Sequence, residues 1–191
     1  MIRLGTKYGK LNRLLDLQIV QQEAHVVGNY RHWYVADYER SRLRQTTGIT
    51  DADLLNRLYL AGFRSDNIFA ITALPVAMAA WASGALSAEE KRAADLAVFE
   101  PDLIANASAI ELFRSWLQSP PPNELWQLWE EFTLQRAQIA DQHRLRDSFR
   151  SILRICRKVA MASGGVWGLG RVSAAEQRVL VRVHRIFEQL C

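Results

Sequence analysis

Apolar residues along this chain recur at spacings of three and four, and no stretch alternates strictly between apolar and polar as a half-buried strand would. The clearest stripe is Leu145, Phe149, Ile152, Cys156 and Val159, inside a helix expected from about Gln142 to Ser163. Residues 10–44 contain no proline and are rich in Leu, Gln, Glu and Arg, which predicts one or two helices with any break at Gly28. Thr50-Asp-Ala-Asp supplies a capping residue and first-turn acids, so a helix is expected to open there and to close at Gly62. Ser65-Asp-Asn opens another, running towards Gly84. Ser87-Ala-Glu-Glu has the grammar of a capping box, with Ser87 at the N-cap and Glu90 three residues on. Ser119-Pro-Pro-Pro-Asn is a stiff break, a Trp-rich helix follows from about Glu124, and the last helix opens at Ser173.

The nineteen residues from Ile68 to Leu86 carry no charge, close to the length of a membrane span. Their alanine content, the central Pro75 and the Ser83-Gly84 pair predict a buried core helix instead. The whole pattern is that of an all-α chain: a helical domain over residues 45–191 with an N-terminal helical arm, residues 1–44.

Two segments share one grammar. Shifted by 86 residues, Trp81, Gly84, Ser87, Ala88, Glu90 and Arg92 fall on Trp167, Gly170, Ser173, Ala174, Glu176 and Arg178. In both copies an apolar helix ends near a glycine, two residues follow, the second apolar (Leu86, Val172), and a capping box opens the next helix. This is the signature of an internally duplicated helix–turn–helix unit. It also bears on the glycine-rich run Gly164-Gly-Val-Trp-Gly-Leu-Gly170, which resembles a phosphate cradle. No strand pattern precedes that run, no Gly-Lys-Ser/Thr closes it, and the first copy lacks the extra glycines. The glycines are therefore read as serving a turn.

The unit Ala79-Ala-Trp-Ala-Ser-Gly-Ala-Leu-Ser-Ala-Glu-Glu90 resembles the helix–turn–helix of TerB-like tellurite-resistance proteins, whose usual form is Ala-Trp-Ala-Asp-Gly, a short spacer, then Glu. The resemblance extends through Trp116-Leu, the Pro120–Pro122 break, the Trp126/Trp129 helix and Gly164-Gly165 to Glu176, roughly residues 50–190. It implies a TerB-like helical bundle made of two related units and a role in chemical-stress response. It also implies divalent-cation binding through acidic residues, for which Glu90 and Glu176 are the candidates. The chain departs from the family at that place: the Asp before the glycine is Ser83 in one copy and Leu169 in the other. One Glu per copy, occupied in a capping box, is a poor ligand set for a hard cation, so no metal and no other cofactor is expected.

Charge refines the picture. Residues 1–44 carry eight Lys or Arg against four Asp or Glu, residues 45–135 five against twelve, and residues 136–191 eleven against four. Basic ends flanking an acidic middle are expected to neutralise it, within one chain or between subunits. Arg146, Arg150, Arg154 and Arg157 gather on one side of their helix, either as a solvated or internally paired face or as a site for phosphates or an acidic partner. Tyr30, Trp33, Tyr34 and Tyr38 sit among arginines at helical spacing; packing on the domain or on a second subunit is the favoured reading over stacking on bases. Four histidines show no zinc spacing, and no nucleophile motif is present. Cys156 and Cys191 make no disulfide framework, and the start lacks a secretory signal, so a reducing cytoplasm is expected.

The chain therefore reads as a non-enzymatic interaction or scaffold protein with a protein partner or a second copy of itself. The rival reading is a nucleic-acid-binding helical module using the arginine stripe.

Overall fold

The structure is a computed structural model that describes residues 34–99, 104, 106–162 and 172–190. Every regular element among them is helical. Residues 34–47 form α1, followed by α2 (Ala52–Leu60), α3 (Leu74–Ala80), α4 (Ala88–Asp95), α5 (Ala107–Trp116), α6 (Leu125–Ala137), α7 (Gln142–Ala162) and α8 (Ala174–Glu188). No helix among the described residues is long and apolar enough to cross a membrane.

Local chemistry sets the helix ends. Asp51, not Thr50, caps α2: its carboxylate accepts the Asp53 and Leu54 N–H groups, both at 3.0 Å. The same helix closes at Gly62, whose φ of 92° suits a residue without Cβ. There Phe63 N–H donates to Leu58 O and Gly62 N–H to Tyr59 O, the paired bonds of a Schellman stop. Leu54, Leu55 and Leu58 face inward between these ends.

The helix expected from Ser65 opens differently. A 3₁₀ turn spans Ile68–Ala73 and α3 begins only at Leu74. Asn67 does not cap it, because its side chain accepts the Arg64 N–H at 2.7 Å. Pro75 then sits in the first turn of α3, where a missing N–H costs nothing. All seven residues of α3 are buried, so the middle of the uncharged stretch is core, while Ser83, Gly84 and Ala85 near its end are exposed in the turn.

The core gathers around α3 and α6. α7 packs against α3 and α4, and α8 against α3, α6 and α7. Trp129 is the largest fully buried side chain, edge-on to Trp126 at 5.5 Å and to Phe187 at 6.5 Å. Phe149 of α7 stacks on Phe187 of α8 at 4.1 Å. Truncating one such aromatic typically costs 3–5 kcal/mol.

The helix α1 runs across residue 44, with Leu43 and Thr47 both buried. It is tied down by Arg136, which donates to Thr47 O at 2.5 Å, and Arg40, which donates to Asn56 at 3.0 Å.

Candidate functional site

The arginine stripe lies on α7, a helix with two sharply different sides. Phe149, Ile152, Ile155, Cys156 and Val159 are buried, while Arg146, Arg150, Arg154 and Arg157 are all exposed, with Lys158 beside them. From Arg146 to Arg157 the face extends about 16 Å along the helix. Asp147 answers it, pairing with Arg150 at 3.3 Å and with the exposed His143 at 3.2 Å. Arg146 and Arg157 meet no carboxylate among the described residues.

The acidic middle is answered from other directions. Arg57 forms a bidentate pair with Glu131, supported by Asp53 at 2.8 Å. The guanidinium is thereby held above its ordinary range, and the Glu131 carboxyl is held below its own by the same hydrogen bonds. Arg114 meets Asp95 at 2.8 Å, and Arg182 meets Glu130 at 2.5 Å while lying over the Trp126 ring at 4.8 Å. Arg182 and Glu130 therefore join the basic end to the acidic middle. Arg146, Arg150 and Arg157 do not share in that neutralisation.

A second basic row was not singled out from the sequence. Arg178, Arg182 and Arg185 of α8 line an open groove of about 770 Å³ facing Gln127, Glu130 and Glu131 of α6. Their spacing of four and three is the signal that could have found it.

Tyr34 is 76% and Tyr38 52% exposed, so of the two favoured placements these side chains do not take the domain, which leaves a second subunit. Arg42 lies 5.9 Å from the Tyr38 ring centre. Tyr30 and Trp33 fall outside the described residues, as do Trp167, Leu169 and Gly170 of the second turn.

Glu90 and Glu176 are each about 1% exposed and each closes a capping box. Ser87 N–H donates to Glu90 Oε2 at 2.8 Å and Glu90 N–H to Ser87 Oγ at 3.1 Å; the equivalent bonds at Ser173 and Glu176 are 2.5 and 3.2 Å. Glu90 Oε1 is sealed from solvent with no hydrogen-bond partner. The Ser83 hydroxyl is turned to Ala85 O at 2.9 Å. Among the described residues no three of His, Cys, Asp and Glu come together. A hard divalent cation takes roughly six to eight oxygens, and this donor set does not fit one.

Comparison with protein-family models, with curated proteins and with solved structures finds no match to this chain.

Proposed function

We propose that this chain is a non-catalytic helical interaction protein of the TerB-like stress-response kind, whose contact face is the arginine stripe of α7. The observation that carries the reading is the exposure of Arg146, Arg150, Arg154 and Arg157 together on one helix face, where Asp147 pairs with Arg150 and where Arg146 and Arg157 meet no carboxylate among the described residues. An acidic protein surface is the partner this face fits, because guanidinium forks pair with carboxylates in two-point geometry.

The two-unit architecture belongs to the same proposal. It is supported by the matching bonds at Ser87/Glu90 and Ser173/Glu176, and by crosswise packing of α4 on α7 and α3 on α8. The reading as a cytoplasmic protein rests on cysteine usage.

Nucleic acid is the second reading, favoured by the way Arg146, Arg150 and Arg157 stay solvent-facing and meet no carboxylate of the acidic middle among the described residues. A gel-shift titration separates the two, using duplex DNA, single-stranded RNA and poly-L-glutamate as probes between about 50 and 200 mM salt. The leading reading expects binding of poly-L-glutamate, lost on replacing the four arginines by Gln, and no shift of either nucleic acid at low salt. A steeply salt-dependent nucleic-acid shift, lost in the same variant, transfers the function to the second reading. Binding of no probe removes the α7 face from both.

A further inference from the structure

The side of α7 turned away from the arginine stripe closes over a cavity of about 320 Å³ between the 3₁₀ turn, α6 and the start of α7. Its walls are largely apolar: Phe69, Phe132, Phe149 and Ile152. Its volume lies in the range of small-molecule pockets, with room for roughly ten water-sized groups at liquid density.

Its polar lining is Thr72, whose hydroxyl donates to Phe69 O at 2.7 Å, with Thr133, Ser148, Arg136, Asp141 and Arg144. Thr133 is 6% exposed and lines the cavity, yet its hydroxyl makes no hydrogen bond among the described residues. A helical threonine ordinarily turns that hydroxyl back to a carbonyl of the preceding turn, as Thr47 does to Leu43 O at 2.7 Å. Glu90 Oε1 is the buried oxygen among the described residues that is sealed without a partner, so the Thr133 hydroxyl keeps a small accessible area. Ser148, half-buried across the cavity, also leaves its hydroxyl unbonded among the described residues. Both hydroxyls face the cavity with their hydrogen-bonding capacity open to whatever occupies it, water or a ligand.

Charge settles what kind of partner. Arg136 and Arg144 line the same cavity with Asp141 between them. The Asp141 carboxylate already accepts the His143 and Arg144 N–H groups at 2.8 and 3.0 Å. Arg136 spends one nitrogen on Thr47 O, and burial holds its guanidinium below its ordinary value. Arg144 has no side-chain partner among the described residues. Two guanidiniums against one occupied carboxylate leave a positive rim above an apolar floor.

We propose that this cavity binds a small organic anion, an aromatic or short aliphatic carboxylate. Its apolar body sits among the phenylalanines, Thr133 and Ser148 supply hydroxyl contacts, and its carboxylate meets Arg144 and the remaining N–H groups of Arg136. The site is independent of the α7 arginine face, since its lining residues lie on the opposite side of that helix.

Isothermal titration of the full chain with 3-phenylpropionate, and with its neutral alcohol 3-phenylpropan-1-ol, tests the proposal. The acid is expected to bind and the alcohol to bind at least about tenfold more weakly, as loss of a charged hydrogen bond implies. Arg144→Gln, an exposed change, should weaken the acid by about tenfold and leave the alcohol unchanged. Ser148→Phe should fill the cavity and abolish binding of both, with a circular-dichroism melt reporting whether that variant is folded. Thr133→Val, close in shape, should weaken the acid without unfolding the chain. No binding of the acid, equal binding of acid and alcohol, or full binding to Arg144→Gln would each overturn the assignment.

Discussion

Cys156 offers a stability test whose sign and size follow from the structure. Its side chain is fully buried on the inner face of α7, and burial pushes the thiol up from 9.0 to about 12. Between those values the unfolded chain releases the proton while the folded chain holds it, so the unfolded state binds fewer protons. Stability must then fall as pH rises. The contribution is intact below about pH 8 and is lost progressively on the way to about pH 12. At about pH 10.5 the loss works out at about 2 kcal/mol, one and a half units at 1.36 kcal/mol each.

Cys156→Ala removes the titration at the cost of one buried heavy atom, about 1 kcal/mol. The variant should therefore be the less stable protein at neutral pH and the more stable one at about pH 10.5, with the curves crossing at about pH 9.7. Urea denaturation of both proteins across that range measures the difference, and tyrosine and lysine titration cancels in the comparison. Thiol labelling adds a second readout in a Cys191→Ser background: Cys156 should react at the rate of opening and not at the rate of an exposed thiol. A constant difference between the two stability curves, or rapid native-state labelling, would show that the thiol is not sealed as the packing of α7 requires.

Further tests address the turns and a helix cap. Gly84 has φ of 91° with nothing within 4 Å of where a Cβ would sit, so Gly84→Ala should cost about 1 kcal/mol of backbone strain. Gly48→Ala should cost a similar amount, because the Ile139 Cδ1 that its Cβ would approach to 2.9 Å is the far end of an exposed side chain free to turn aside; thermal melts of the two variants check the equality. The capping box predicts that Ser87→Ala lowers stability by about 1 kcal/mol, while millimolar Ca²⁺ or a chelator leaves the melting temperature of the parent unchanged. A calcium-dependent rise lost in Glu90→Gln would show that the acid serves a cation as well as the cap.

The features legible in the sequence are those whose partners lie close along the chain. The boxes at Ser87/Glu90 and Ser173/Glu176 close over three residues, and the Asp51 cap over two and three. The stop at Gly62 is equally local, and the apolar stripe of α7 needs only helical spacing. Even here the reading passed over α5, although Asn106 caps it by accepting the Ala109 N–H at 2.9 Å and Phe113 and Trp116 are buried from it. The 3₁₀ opening before α3 was also missed, because Asn67 looks like a cap in sequence and bonds backwards to Arg64 in the fold.

What the sequence could not show is anything joined over long separations. Arg57 finds Glu131 across 74 residues, Arg136 reaches Thr47 across 89, and Arg182 reaches Glu130 across 52. Charge totals per segment predict that such pairs form but not which arginines are left over. The remainder underlies the proposed function: an arginine that folds onto the acidic middle is structure, and one that does not is the exposed charge on which that proposal rests. Arg57 and Arg182 fall in the first class, Arg146 and Arg157 in the second. The cavity has the same origin. Phe69, Thr133 and Ser148 belong to three segments with no shared motif, and the hydroxyl of Thr133 is unremarkable until the fold places it against a positively rimmed cavity. Candidate chemistry in this chain therefore resides in the contacts between its helices, while each helix end is written in its own few residues.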